Sequence, residues 1–237
     1  MFWKQKAQSV PEEAPLWLSV GADDLCGFAG PAVRSLRHML TGLVCRGMLP
    51  PRLSLVAAAR AEGVSYATLA LGALAAADLS RRTCVVELNW RWPVLPGLLG
   101  QAAGPGLAAW LAGRAELDDV LVPASPSGLW LLPAGALPAV EQAAAARSDR
   151  LRALAAQLSE RFEHVFFDVP AVLATSDAIP LASLGDACCL VVRQGATPAG
   201  SLRRTLADVS HLKVLGVIMN RVRMAMPLGL LRLVQQG

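Results

Sequence analysis

Residues 53–93 read LSLVAAARAEGVSYATLALGALAAADLSRRTCVVELNWRWP. The opening run, residues 53–57, is short and apolar without alternation, the pattern of a strand buried on both faces. A small-residue stretch ending in Gly63 follows, and residues 65–79 are rich in Ala and Leu, which predicts a helix. A second apolar run over 83–88 predicts a neighbouring parallel strand. Strand, small-residue loop, helix and strand form the unit that sets backbone N–H groups at a helix N-terminus to receive phosphate. The corresponding motif, G-x-x-x-x-G-K-[ST], falls on residues 58–65. Gly63 and Ser65 hold their places, but Val64 stands where the motif has lysine. That lysine is the point charge that meets the β- and γ-phosphates, and valine supplies neither charge nor hydrogen bond.

The chain has 237 residues, 54% of them apolar and 17% charged, which excludes disorder for most of its length and allows a substantial core. The longest uncharged stretches, residues 92–113 and 120–140, are interrupted by Pro93, Pro96, Pro105, Pro123, Pro126, Pro133 and Pro138. Such breaks leave backbone groups unpaired in lipid, so neither stretch is expected to span a bilayer. The start, Met-Phe-Trp-Lys-Gln-Lys, lacks the apolar segment of a secretion signal, and a cytoplasmic location is expected. Five cysteines without C-x-x-C spacing and three isolated histidines (His38, His164, His211) predict buried thiols and no metal centre. Charge is uneven. From Arg193 onward seven basic residues stand against Asp208 alone, a balance that suits an anionic membrane surface, an acidic partner or nucleic acid.

Along the rest of the chain, residues 1–27 read as a tail or adaptor. Residues 31–43 have helical spacing, with Arg34 and Arg37 on one face. Short helices are expected at 107–111, 116–121 and 181–184, a strand at 128–132, and a helical region over 136–162 with a break near Ser148. Apolar strands at 164–170, 187–193 and 214–221 surround a helix at 201–211. Continuous apolar strands alternating with helices predict an α/β protein: a three-layer, doubly wound, mostly parallel sheet. Ligands in such sheets lie at the strand C-terminal ends, where Gly63, Glu87, Asp168 and Asn220 all fall.

Four stretches in order resemble the cytoplasmic P-loop ATPase domain of bacterial tyrosine kinases, the capsule and exopolysaccharide regulators related to MinD/ParA ATPases. Arg34-Ser-Leu-Arg37 is similar to the family's E-x-x-R-x-x-R helix. Ala61-Glu62-Gly63-Val64-Ser65 is similar to G-E-G-K-S, and Glu87-Leu-Asn89-Trp-Arg91-Trp-Pro93 to D-A-D-x-R-x-P. Phe167-Asp168-Val-Pro170 with Ser176-Asp177-Ala178 is similar to D-x-P-P followed by S-D-A. Residues 128–135 and Met219-Asn220-Arg221-Val222 fit later strands, so the resemblance covers about residues 28–223. It implies a P-loop NTPase-like domain over 28–223, between the tail of 1–27 and a C-terminal tail of 224–237. A relic nucleotide pocket is implied at Glu62, Gly63, Ser65, Glu87, Asp168 and Asn220.

The departures bear on chemistry. Val64 replaces the lysine, Glu87 and Asn89 stand for the two aspartates of the second motif, and Pro31 stands for the glutamate of the first, against the family's ring assembly. Tyr66 is the single tyrosine, and the tail lacks the family's tyrosine cluster. Losing the lysine and a metal carboxylate removes the main charge terms of phosphoryl transfer. The expectation is a catalytically inactive, kinase-like accessory or regulatory protein of exopolysaccharide or capsule synthesis and export, with no catalytic residue, cofactor or metal. It would act peripherally at the inner face of the membrane. Its partner would be the cytoplasmic part of a membrane chain-length regulator or an active kinase paralogue. Self-association and an anionic membrane surface remain open, and nucleic acid is not expected. Two alternatives stand beside it: a divergent ATPase that still binds ATP or ADP with magnesium, and a MinD/ParA-like positioning protein.

Overall fold

The structure, a computed structural model, describes residues 16–20, 24–100 and 104–221. A seven-stranded sheet in the order β5-β6-β4-β7-β3-β8-β9 forms its centre. Its strands are β3 (Arg52–Ala57), β4 (Thr83–Glu87), β5 (Val122–Ala124), β6 (Leu129–Leu132), β7 (His164–Asp168), β8 (Ala187–Arg193) and β9 (Val214–Asn220). All neighbours run parallel except β5, which pairs antiparallel with β6. Successive residues of the central strands enter opposite cores. Leu53, Leu55, Phe166, Cys189 and Val191 pack on one face, and Val56, Val165, Phe167, Cys188 and Leu190 on the other. This double burial is why the strands read as unbroken apolar runs.

On the first face lie α1 (Gly30–Cys45) and α2 (Val64–Leu79). Helix α2 is apolar all round and buries every residue from Ala67 to Ala76, because it is sandwiched between the sheet and α1. It approaches closely at Gly72, where a Cβ would lie 2.3 Å from a Val85 methyl. The opposite face carries α4 (Gly106–Leu111), α5 (Leu117–Val120), α7 (Asp149–Arg161) and α8 (Ala178–Ala182). Helix α6 (Ala139–Ala146) is separated from α7 by Ser148, whose hydroxyl accepts the Leu151 N–H at 3.2 Å and caps α7. The remaining helices are α3 (Leu95–Leu99) and α9 (Ala199–Asp208), with Arg203 and Arg204 exposed on α9.

Two expectations need correction. Within the expected tail of 1–27, residues 16–20 and 24–27 belong to the folded body: β1 (Leu16–Val20) and β2 (Asp24–Phe28) pair antiparallel. Leu16, Leu18, Val20 and Phe28 are buried in the α1/α2 core, and Ser19 bridges to Ser125 beside β5. The burial gain of those four side chains outweighs the charge around them. The short helix expected at 181–184 lies at Ala178–Ala182, directly after Asp177. The tail expected at 224–237 and residues 1–15 lie outside the described residues. Among the described residues no helix is long and apolar enough to cross a membrane.

Candidate functional site

The loop 58–63 joins β3 to α2 at the C-terminal edge of the sheet and turns through two left-handed positions, Ala61 (φ 61°) and Gly63 (φ 101°). A Cβ on Gly63 would sit 2.0 Å from Asn220 Nδ2, so only glycine fits. Asn220, the last residue of β9, donates from Nδ2 to the Glu62 carbonyl at 2.8 Å. The Glu62 carboxylate curls back onto its own loop, accepting the Ala58 N–H at 3.0 Å, and also accepts the Thr197 hydroxyl. Thr197 in turn accepts the Arg193 N–H at 3.0 Å. The loop is thereby tied to the ends of β8 and β9.

Val64 opens α2 and is half-buried, packed against the α1/α2 core. Ser65 hydrogen-bonds Asp168, the last residue of β7. Asp168 is buried, and its pKa is raised to about 7, first by desolvation and also by the nearby Glu87 charge, with the Ser65 bond opposing. Glu87 stands opposite Asp168 in the β4–β7 register. Its carboxylate accepts three backbone N–H groups, from Val94, from Leu95 at 2.9 Å and from Ala134 at 3.1 Å. Desolvation still pushes its pKa up, against those three bonds. Asn89 closes a turn by pairing with both the N–H (3.3 Å) and the carbonyl (3.2 Å) of Trp92.

Of the expected pocket residues, the fold brings Glu62, Gly63 and Asn220 into mutual contact, and Ser65 onto Asp168. Glu87 is the exception. It lies beside Asp168, but its carboxylate is taken up by the backbone of residues 94, 95 and 134, which sequence spacing gives no means of seeing. Thr197 also carried no sequence signal. Arg60 and Trp92 did, as a cation and an aromatic inside the two motif stretches: the Arg60 guanidinium stacks 3.7 Å above the Trp92 ring. Among the described residues there is no group of three or more His, Cys, Asp or Glu that could hold a metal ion.

A magnesium-bound nucleotide needs a cation under its outer phosphates and carboxylate or hydroxyl oxygens free to reach the metal. Here residue 64 is apolar, Glu87 is committed to backbone donors and Asn89 to a turn. These residues do not fit that group, and only Ser65 with Asp168 keeps the required chemistry. Tyr66 is half-buried, and its hydroxyl accepts the Ala29 N–H at 2.9 Å.

No family model matches the sequence. Among curated proteins it is similar to the tyrosine-protein kinase ptk of Acinetobacter johnsonii, 26% identical over 196 residues, covering 81% of this chain and 26% of that protein. The tyrosine-protein kinase CpsD of Streptococcus agalactiae is 25% identical over 174 residues, covering 72% of this chain and 75% of the relative. The chain thus spans about a quarter of the Acinetobacter kinase. Among solved structures, the VpsO kinase domain superposes with a TM-score of 0.75 at 24% identity, over 81% of this chain and 95% of that one. The septum site-determining protein MinD of Pyrococcus horikoshii, solved with Mg-ADP, gives 0.58 at 21% identity, over 77% of this chain and 76% of its own.

Proposed function

We propose that this chain, a homologue of the bacterial tyrosine-protein kinases with a MinD/ParA-like P-loop NTPase fold, acts by binding partners and transfers no phosphate. The carrying observation is the state of the strand-end site. Half-buried Val64 packs against the core where a phosphate-binding cation belongs, and Glu87 is held by three backbone N–H groups. Phosphoryl transfer depends on positioning and charge stabilisation; the lysine charge is missing at Val64, and the Glu87 carboxylate is taken up by backbone donors. The sole tyrosine sits in α2 with its hydroxyl engaged, which leaves self-phosphorylation without an evident acceptor. The resemblance to capsule and exopolysaccharide kinases supports a role beside polysaccharide synthesis or export. In that role the chain docks on the cytoplasmic part of a chain-length regulator or on an active paralogue, with the sheet domain and its β1–β2 pair as the binding domain, at the inner face of the membrane.

A second reading, a divergent ATPase, is favoured by the surviving Ser65–Asp168 pair. Turnover separates the two. Purified protein should release phosphate from ATP no faster than buffer. Magnesium-dependent release that disappears in Asp168→Ala would overturn the inactive reading.

A further inference from the structure

Three arginines at the strand ends are joined into one cluster. Arg60, from the loop after β3, stacks on Trp92 at 3.7 Å. Arg91, next to Trp92 in the chain, reaches Asp177 at 4.0 Å, and Arg147, just past α6, donates to the same carboxylate at 3.0 Å. Asp177 is a buried anchor: its side chain is 10% exposed, against 43% for Arg91 and 50% for Arg147. Thr175 completes its hydrogen bonding at 3.1 Å. Arg60 is exposed as well. The other strand-end carboxylates, Glu62, Glu87 and Asp168, are buried and face inward partners. Three guanidiniums therefore stand against a single carboxylate, and the surface is cationic.

We infer that Arg60, Arg91 and Arg147 form a docking ridge for an acidic segment of a protein partner; this rests on the partner-binding role proposed above and names the surface. Guanidinium forks match carboxylates in pairs, and the Trp92 stack and the Asp177 anchor hold the forks in place before binding, which reduces the ordering entropy. The three guanidiniums come from the loops after β3 and β4 and from the end of α6, and Trp92 and Asp177 hold them together for an acidic segment to meet. A nucleic acid fits less well. Arg60 already covers one face of Trp92, so that face offers no platform for a base.

The test uses the full chain and a fluorescently labelled hexaglutamate peptide, read by anisotropy at low and physiological salt. The wild type should bind, with affinity falling as salt rises. Arg60→Glu should weaken binding roughly tenfold or more without touching an ion pair, and Arg60→Glu with Arg147→Gln should weaken it further. Arg203→Glu with Arg204→Glu on α9 should stay within about twofold of wild type, because that pair lies outside the ridge. Circular dichroism confirms that each variant is folded. No binding by the wild type, or an equal loss in the α9 variant, overturns the ridge. So does tighter binding, lost in the same ridge variants, to ADP, to single-stranded DNA or to anionic lipid vesicles. ATP turnover is scored on the same preparation, so failure of the ridge is distinguishable from failure of the inactive reading.

Discussion

Replacing Glu87 by alanine tests whether this carboxylate holds the fold or serves a ligand. The substitution strands two buried donors, the N–H groups of Leu95 and Ala134, and the part-buried N–H of Val94. A buried donor left without its partner costs about 1–3 kcal/mol, with Val94 at the low end, so the gross loss is about 3–7 kcal/mol. Relief of the carboxylate's own burial, the main cause of its raised pKa, offsets part of this. A net loss of about 3–5 kcal/mol remains, which for a chain of this size lowers the melting temperature by roughly 6–20 °C. Glu87→Gln keeps one acceptor oxygen and turns an NH2 toward a donor, so it should fall between wild type and alanine. The assay is thermal unfolding followed by circular dichroism, with and without magnesium, and magnesium should leave all three curves unchanged. A Glu87→Ala midpoint within about 2 °C of wild type would refute the structural role. Magnesium stabilisation of the wild type that is lost in Glu87→Ala would refute it equally.

Asp168 gives a pH signature. Its folded pKa of about 7 lies above the ordinary 3.8, so its contribution is fully present below about pH 4 and is lost as pH rises through 7, on the order of 4 kcal/mol in all. Asp168→Asn should therefore gain on wild type in urea unfolding between pH 5 and pH 8, and a pH-independent difference would contradict the assignment. Phe166→Ala, at a side chain 1% exposed on β7, should cost roughly 3–5 kcal/mol in the same assay, and a loss below about 1 kcal/mol would contradict its core position. Gly63→Ala should destabilise by about 1–3 kcal/mol through its positive φ and the Asn220 contact, and Asn220→Ala should relieve part of that loss. Strict additivity of that pair would mean that the two residues do not touch.

The strands of the central sheet could be read from the sequence because burial on both faces writes itself as an apolar run, as in Leu53-Ser-Leu-Val-Ala57 or Ala187-Cys-Cys-Leu-Val191. The break at Ser148 was equally readable, since a serine cap leaves a local signal. Strand β1 was not: its alternation lasts only five residues, and its burial depends on a core assembled from α1, α2 and the sheet. Strand β5 is three residues long with Pro123 at its centre, a composition that argues for a loop until the antiparallel partner is known. In the site, positions were readable but commitments were not. Glu62 and Asn220 stand 158 residues apart and meet only through the sheet order. The donors that hold Glu87 come from two separate loops.

Nucleotide titration decides whether the site is a relic. Calorimetry with ADP in magnesium is compared for wild type, Val64→Lys, and Val64→Lys with Asn89→Asp, each first shown to be folded. The inactive reading predicts no measurable heat of binding for wild type, weak binding with the restored lysine, and tighter binding with both changes, because the metal neutralises phosphate charge. Wild type binding as tightly as the double variant would contradict it, since another group would then be supplying the missing charge.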